Sequence, residues 1–437
     1  MPLDNLATMS TQQISPDSAV ASSLAFLQEL LHDYQPRDFG VRLWDGTLWE
    51  PTPGQTPKFT LVLRHPGALR RMFWRATHVG MGEAYIFDDY DIEGDMAAFI
   101  HVLRHLQSQK RSFRQRLRLA SWLWRLPNTS QPRRGRPAAK LQGGKHSLER
   151  DRQAVSYHYD VSNEFFALWL DRRMVYTCAY FTDANDDIDT AQERKLDYIC
   201  KKLRLRAGER LLDLGCGWGG LVMFAAQNYG VKAVGVTLSR QQAEWAQERI
   251  RAAGLGSRCR VEYGDYRELD EPEGYDKLAA VCILEHVGEA VMPTFFRAAW
   301  RLLRPGGVFF NQNCTITEGE PVPRKLFAHS YVFPDVDLTL ISTILRKAEE
   351  ARFEVRDVEG LREHYALTLQ NWLKRLEQHH AEVVGLTDET MYRIFRLYLA
   401  RAKYGFQIQA LNVYQTLFAK PDHGDARLPL TRADWSR

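Results

Sequence analysis

The chain has 437 residues, 45% of them apolar and 26% charged, with a formal net charge of +4. That length exceeds one ordinary core, so two or three packed domains are expected. No run of about 18 apolar residues is present to span a bilayer, and the first residues lack the basic-then-apolar plan of a secretory signal. The six cysteines (Cys178, Cys200, Cys216, Cys259, Cys282, Cys314) show neither CxxC nor Cys/His ligand spacing. This argues against structural zinc and a disulfide framework. The expectation is a cytoplasmic enzyme with reduced thiols and no metal.

Residues 1–20 are polar and Ser/Gln-rich and read as a disordered lead-in. A small α+β unit is expected over 21–106, with a helix across 24–31, strands across 41–44 and 59–64, and a turn at Asp45-Gly46. Residues 107–150 change character. Lys110, Arg111, Arg114, Arg116 and Arg118 alternate with Phe113, Leu117, Leu119 and Trp122, and a Pro/Gly/Arg-rich linker follows at 131–137. Cations beside indoles suit an anionic membrane surface, and a solvated inter-domain helix accounts for them equally well. No nucleic-acid-binding motif accompanies the charge, so nucleic acid is not an expected partner.

From 151 to 425 strand and helix signals alternate. Strands are expected at 210–214, 233–237, 259–263, 275–283 and 308–311, the last after the turn Arg304-Pro-Gly-Gly307, with a helix at 239–253. The implied fold is α/β, a doubly wound and mainly parallel sheet whose ligands sit at the carboxyl ends of the strands. Residues 426–437 read as a tail without signal.

The first of these strands ends in Asp213 and runs into Gly215, Gly217 and Gly219 before an apolar helical stretch. This GxGxG spacing is neither the dinucleotide GxGxxG nor the phosphate loop GxxxxGK[ST]. It resembles the S-adenosylmethionine loop of class I methyltransferases, in which the glycines face the methionine end of the cofactor. The second strand ends in Gly235-Val-Thr-Leu-Ser239, without the acidic residue that many methyltransferases use to grip the ribose; Thr237 and Gln242 are the polar candidates there. The third ends at Asp265-Tyr266, where Asp265 is placed to accept from the adenine amino group. The fourth leads into Glu285-His286. A carboxylate at the mouth of a cleft pairs with a charge or does chemistry, whereas His286 reads as a cap of the next segment.

Taken together, Ser156-Tyr-His-Tyr-Asp-Val-Ser-Asn-Glu-Phe-Phe166, Tyr176-Thr-Cys-Ala-Tyr-Phe181, the glycine loop, Glu285-His-Val-Gly-Glu289, Tyr331-Val-Phe-Pro334, Arg362-Glu-His-Tyr-Ala-Leu-Thr-Leu369 and Leu411-Asn-Val-Tyr-Gln-Thr-Leu-Phe418 resemble the cyclopropane-fatty-acyl-phospholipid synthases. The likeness covers 151–420. Gly80-Met-Gly-Glu-Ala-Tyr85 resembles the family's smaller lipid-binding domain more loosely.

This resemblance implies transfer of the S-adenosylmethionine methyl to a cis double bond of a phospholipid acyl chain. A bound bicarbonate then deprotonates the cation and the ring closes. It implies Tyr176 in the cofactor site, and Cys178, Glu285 and Tyr365 around bicarbonate, with Cys178 contributing pocket shape and no nucleophile. Aromatic faces suit a passing cation, although most of the aromatics here are expected to be core. Many members carry a histidine where this chain has Gln312. An amide donates a hydrogen bond but neither holds a charge nor exchanges a proton near neutral pH, so methyl- or methylene-branched products stay open beside the ring. A small-molecule methyltransferase and a non-catalytic lipid-binding protein are the other readings. The expected partners are a membrane phospholipid and an anionic surface met through 107–136, at the inner face of the cell membrane, with a homodimer left open.

Overall fold

The computed structural model describes residues 16–74, 77–320 and 326–435. The chain forms two compact units that divide between Gly135 and Arg136.

The first unit opens with the helix Pro16–Leu30. The lead-in expected to reach residue 20 therefore gives way to helix by Pro16, and residues 1–15 lie outside the described part. Strands β1 (Gly40–Arg42), β2 (Leu48–Trp49), β3 (Phe59–Leu63) and β4 (Tyr90–Gly94) form a sheet in the order β2-β1-β3-β4. The Asp45-Gly46 turn lies between β1 and β2, with Asp45 accepting from the Thr47 amide at 3.0 Å. Phe39 and Phe59 stack at 4.7 Å in the core. The basic stretch forms the helix Phe113–Trp124, started by a capping box in which Ser112 and Gln115 satisfy each other's amides. This helix belongs to the first unit and packs on Pro16–Leu30 and Ala68–Phe73. Phe113, Leu117 and Trp124 remain exposed on it.

The second unit holds β5 (Arg210–Leu214), β6 (Lys232–Thr237), β7 (Cys259–Tyr263), β8 (Tyr275–Val281), β9 (Leu303–Ile316), β10 (Glu354–Gly360) and β11 (Leu411–Ala419). Their order is β10-β11-β9-β8-β5-β6-β7. The pairings among β5 to β9 are parallel, and β11 runs antiparallel to both its neighbours. From β5 the chain winds through β6 and β7 on one side, then returns to β8 and β9 on the other. This reversal beside β5 opens a crevice at the strand ends, which places the site. Apolar helices cover both faces: one core gathers Leu211, Ala225, Val261 and Phe310, the other Leu212, Leu278, Phe296 and Phe309. Leu211 and Leu212 face opposite ways because strand side chains alternate.

The fifth strand and the tail also differ from the sequence expectation. Strand β9 begins at Leu303, and the Pro-Gly-Gly stretch forms an irregularity within it, where pairing jumps from Tyr275↔Leu303 to Lys277↔Val308. The tail is also not without structure. Leu428 and Trp435 pack on the core, and Asp434 pairs with Arg204 at 2.6 Å.

Candidate active site

The end of β5 turns through Gly215, Gly217 and Gly219, all with left-handed φ (+71°, +54° and +78°), which L-residues other than glycine adopt at a cost. Gly217 and Gly219 serve different ends. A Cβ on Gly217 would meet nothing within 4 Å, because it would point into the cleft. A Cβ on Gly219 would press on Val261 Cγ2 at 3.1 Å and Ala246 Cβ at 3.3 Å, so that glycine lets the following helix Gly220–Tyr229 pack closely.

Of the candidate cofactor residues, Tyr176, Asp213, Gly215, Gly217, Thr237, Gln242 and Tyr266 line this cleft. Thr237 donates to Gln242 Oε1 at 2.7 Å. Gly219 and Asp265 stand behind the wall. Both Asp265 oxygens are taken by Arg267, at 2.8 and 2.7 Å, and Arg267 also reaches Asp151 at 2.9 Å. Arg267 and Asp151 face the cleft where Asp265 was expected to.

The cleft also contains a cation that the sequence reading passed over. Lys195 is fully buried, lines the wall and donates to Thr177 Oγ1 at 2.8 Å. Burial lowers its pKa to about 8. Burial raises that of Asp213 to about 7, against the pull of Lys195, and Asp213 Oδ1 has no partner among the described residues. In sequence Lys195 looks like one more charge on the polar face of the helix Ile188–Leu203; only the tertiary packing turns it inward.

Beyond the glycine loop, β8 gives way to Cys282, whose φ of +59° is unusual for a residue with a Cβ. Its amide donates to the Gln312 carbonyl on β9 at 2.6 Å. The bend swings Glu285 into the first turn of the short helix Leu284–Val287. Glu285 Oε1 accepts from the Cys314 amide at 2.5 Å, while buried Oε2 has no partner among the described residues. Burial outweighs the hydrogen bonds and pushes the carboxyl up to about 7.

Gln312 is fully buried. Its Oε1 accepts from Gln415 on β11 at 3.0 Å, and its Nε2 faces Cys282 Sγ at 4.0 Å. Tyr365, from the helix Arg362–Gln378, is buried, and its hydroxyl pKa is raised first by burial and then by the nearby Cys314 and Cys282. Cys178 is buried too. Its thiol points at the Ala179 and Leu361 carbonyls, at 3.3 and 3.8 Å, and burial holds its pKa well above the usual range. No nucleophile is expected there.

The unit that carries this geometry matches the family described as mycolic acid cyclopropane synthetase, over residues 146–416. The chain belongs to this family. A domain of unknown function matches residues 26–116. A probable fatty acid methyltransferase of Pseudomonas putida is 37% identical over 405 residues, covering 91% of this chain and 96% of the relative. The cyclopropane-fatty-acyl-phospholipid synthase of Escherichia coli is 31% identical over 364 residues, 82% of this chain and 87% of the relative. A crystal structure of a mycolic acid cyclopropane synthase complexed with SAH and CTAB aligns with a TM-score of 0.58 at 32% identity, covering 61% of this chain and 97% of that one. The fold is that of the class I methyltransferases. The enzyme is an S-adenosylmethionine-dependent methyltransferase that acts on lipid acyl chains.

For a member of this family the aromatic wall of the cleft is informative. Tyr176 lies 5.2 Å from Trp169 and 5.1 Å from Trp372, ring centre to ring centre, and His158 stacks on it at 5.6 Å. Phe165 and Phe166 are core, as most of these aromatics were expected to be, whereas Tyr159 and Tyr176 face the cleft. His286 lines the cleft near Phe333, where a cap of the next segment was expected, and burial lowers its pKa to about 4, so it is neutral at pH 7. Cys282 lines the cleft and the Cys314 amide holds Glu285, although both read in the sequence as inert cysteines. The signal was in the strand period: Gln312 and Cys314 are two apart on β9 and share a face.

Proposed function

We propose that this enzyme transfers the methyl group of S-adenosylmethionine to a cis double bond of an unsaturated phospholipid acyl chain and closes the product to a cyclopropane. The observation that carries the reading is Glu285, a buried carboxylate with one oxygen unpartnered among the described residues, carried between the cleft-lining residues Ile283 and His286. The cofactor supplies an electrophilic methyl. Its zwitterionic amino-acid end suits a site that offers a buried carboxylate, Asp213, and a buried ammonium, Lys195. As the alkene takes the methyl, the second alkene carbon becomes a cation. Loss of a proton from the added methyl frees the electron pair that closes the ring. Glu285 is placed to receive that proton or to orient the group that does. Its orphan oxygen fits the O–H of bicarbonate, with Tyr365 and the Gln312 amide as neighbouring donors, and bicarbonate would supply a small exchangeable base there. The aromatic faces of Tyr159 and Tyr176 favour the cation, and a dry site keeps water from capturing it.

One observation favours a second reading. Gln312 stands where many members of the family have histidine, and its amide is anchored on Gln415. A less responsive base lets a 1,2-hydride shift precede proton loss, giving a methylene branch, or lets a chain proton leave, giving a methyl-branched alkene.

The substrate is a membrane lipid, and the helix Phe113–Trp124 is the proposed contact with the anionic inner face of the membrane. It exposes Phe113, Leu117 and Trp124 among Arg114, Arg116 and Arg125. No helix among the described residues is long and apolar enough to cross a membrane. Mass spectrometry and proton NMR of lipids from a host rich in unsaturated phospholipids test the reading. Addition of CH2 with upfield ring protons supports cyclopropane; vinylidene protons or a methyl-branched alkene support the second reading. Unchanged lipids despite soluble enzyme and bound cofactor refute both.

A further inference from the structure

Cys282, Glu285 and Cys314 arrive from three different places, the residue after β8, the short helix that follows and the last residues of β9. Their Sγ and carboxylate oxygen atoms all lie within 4.8 Å of one another. Two thiolates and one carboxylate around a tetrahedral zinc stand roughly 3.5–3.8 Å apart, given bonds of about 2.3 Å to sulfur and about 2.0–2.2 Å to oxygen. Small side-chain rotations close that difference.

A second, independent observation points to a ligand. Glu285 is more than nine-tenths buried, and its Oε2 has no hydrogen-bond partner among the described residues. A buried polar atom left without a partner is costly. The backbone at Cys282 is also held in a left-handed conformation that aims this residue at the strand beside it. Lone cysteines elsewhere in the chain lack such company: Cys200 and Cys259 are buried in the apolar core.

We propose that Cys282, Cys314 and Glu285 form a binding site for a thiophilic divalent cation of the zinc class, which occupies the carboxylate needed for turnover and so inhibits the enzyme. Two soft sulfur ligands select Zn²⁺ or Cd²⁺ over Mg²⁺ and Ca²⁺, which prefer oxygen cages. A water would complete the set, with the Gln312 amide nitrogen, already directed at Cys282 at 4.0 Å, donating to its sulfur. Binding releases the two thiol protons to solvent and changes no oxidation state. The inhibition rests on the role proposed above for Glu285, whereas the metal site itself does not, and neither depends on which lipid product forms.

The test uses the full chain, kept reduced with a phosphine and free of thiol buffers, titrated with Co²⁺ and then Zn²⁺. One Co²⁺ per chain with a sulfur-to-cobalt charge-transfer band in the near ultraviolet is expected, discharged by one equivalent of Zn²⁺. Cys282→Ser and Cys314→Ser should each diminish the band and weaken zinc binding at least about tenfold, the scale on which even supporting groups of metal sites act. Cys259→Ser should leave both unchanged. Glu285→Gln, which keeps both thiols, should retain the band and lose affinity, and this covers the case in which a serine variant does not fold. Absence of the band, or a band that survives in both Cys282→Ser and Cys314→Ser, overturns the site. So does full zinc affinity in Glu285→Gln.

Discussion

The Cys314 amide donates to Glu285 Oε1 over 2.5 Å, and that single hydrogen bond divides the carboxylate into two unequal oxygens. One is fixed by the backbone of β9. The other is buried and has no hydrogen-bond partner among the described residues. The amide favours the ionised form, but burial disfavours it more strongly, so the group titrates at about 7 instead of its usual 4.5. A base of this kind is ionised and protonated in comparable amounts near neutrality, which suits proton removal followed by release.

Glu285→Gln should therefore lower turnover by about 10²-fold or more while leaving S-adenosylmethionine affinity within about twofold. In the wild type, turnover should rise with pH through about 7 as the carboxylate ionises, and the variant should lose that limb. Calorimetry with the cofactor and a pH-rate profile separate the two effects. Intact turnover with weakened cofactor binding would move Glu285 into the cofactor pocket.

The same shift sets a stability trend. Between about pH 4.5 and 7 the folded protein holds a proton on Glu285 that the unfolded chain has released. Stability must then fall as pH rises through that window, by roughly 1.4 kcal/mol for each pH unit over which the two states differ. Asp213, raised to about 7 by burial, adds a slope of the same sign. Urea midpoints at pH 5 and 8 should differ less in Glu285→Gln than in the wild type. The residual slope belongs to Asp213, and an identical pair of slopes would contradict the burial of Glu285.

How much of this was legible in the sequence depends on range. Strands β5 and β7 fall at the residues their apolar runs indicated, and β6 and β8 lie within two residues of expectation, because buried parallel strands flanked by turns are local signals. Strands β10 and β11 were not anticipated. Arg356, Asp357 and Glu359 break the apolar run of β10, and β11 interleaves Asn412, Gln415 and Thr416. Cofactor-side residues on strand ends could be named from the glycine loop outward. Lys195, Arg267, Cys282 and Cys314 could not, because each gains its meaning from an element distant in sequence. Asp265 shows the reverse: its position is where expected, and its carboxylate is committed to Arg267.

Gly217→Val should abolish measurable S-adenosylmethionine binding. The new side chain would fill the cleft, and a β-branched residue at φ +54° is strained by about 1–2 kcal/mol. The melting temperature should drop only modestly, since no neighbour lies within 4 Å. Gly219→Ala should do the opposite, losing more stability through contacts with Val261 and Ala246 and less affinity. Near-native affinity in Gly217→Val would refute the placement of the loop.

Gln312→His tests the fate of the cation. The amide of Gln312 is held by Gln415, so it cannot follow a proton; an imidazole titrates near neutrality. If glutamine has diverted the cation, histidine should raise the cyclopropane share of the product mixture read by NMR. If glutamine only holds bicarbonate, the product stays a ring and the rate changes little. A mixture that moves towards branched lipid would remove Gln312 from the proton path.

The basic helix yields a prediction that the structure sharpens. Arg111 is turned inward onto the Leu106 carbonyl, with its pKa lowered by burial, and Arg118 pairs with Glu29 at 2.8 Å. Arg114 and Arg116 are exposed, so they should carry most of the attraction to anionic lipid, at about 1 kcal/mol each. Arg114→Gln with Arg116→Gln should reduce binding to phosphatidylserine-containing vesicles by about one to two orders of magnitude at low salt. The difference should shrink as added salt shortens the screening length. Phe113→Ser with Trp124→Ser should weaken binding with little dependence on salt, because apolar burial does not respond to ionic screening. The two effects should be separable in a vesicle-sedimentation series across ionic strength. Unchanged binding in both double variants would make this helix a purely structural part of the first unit.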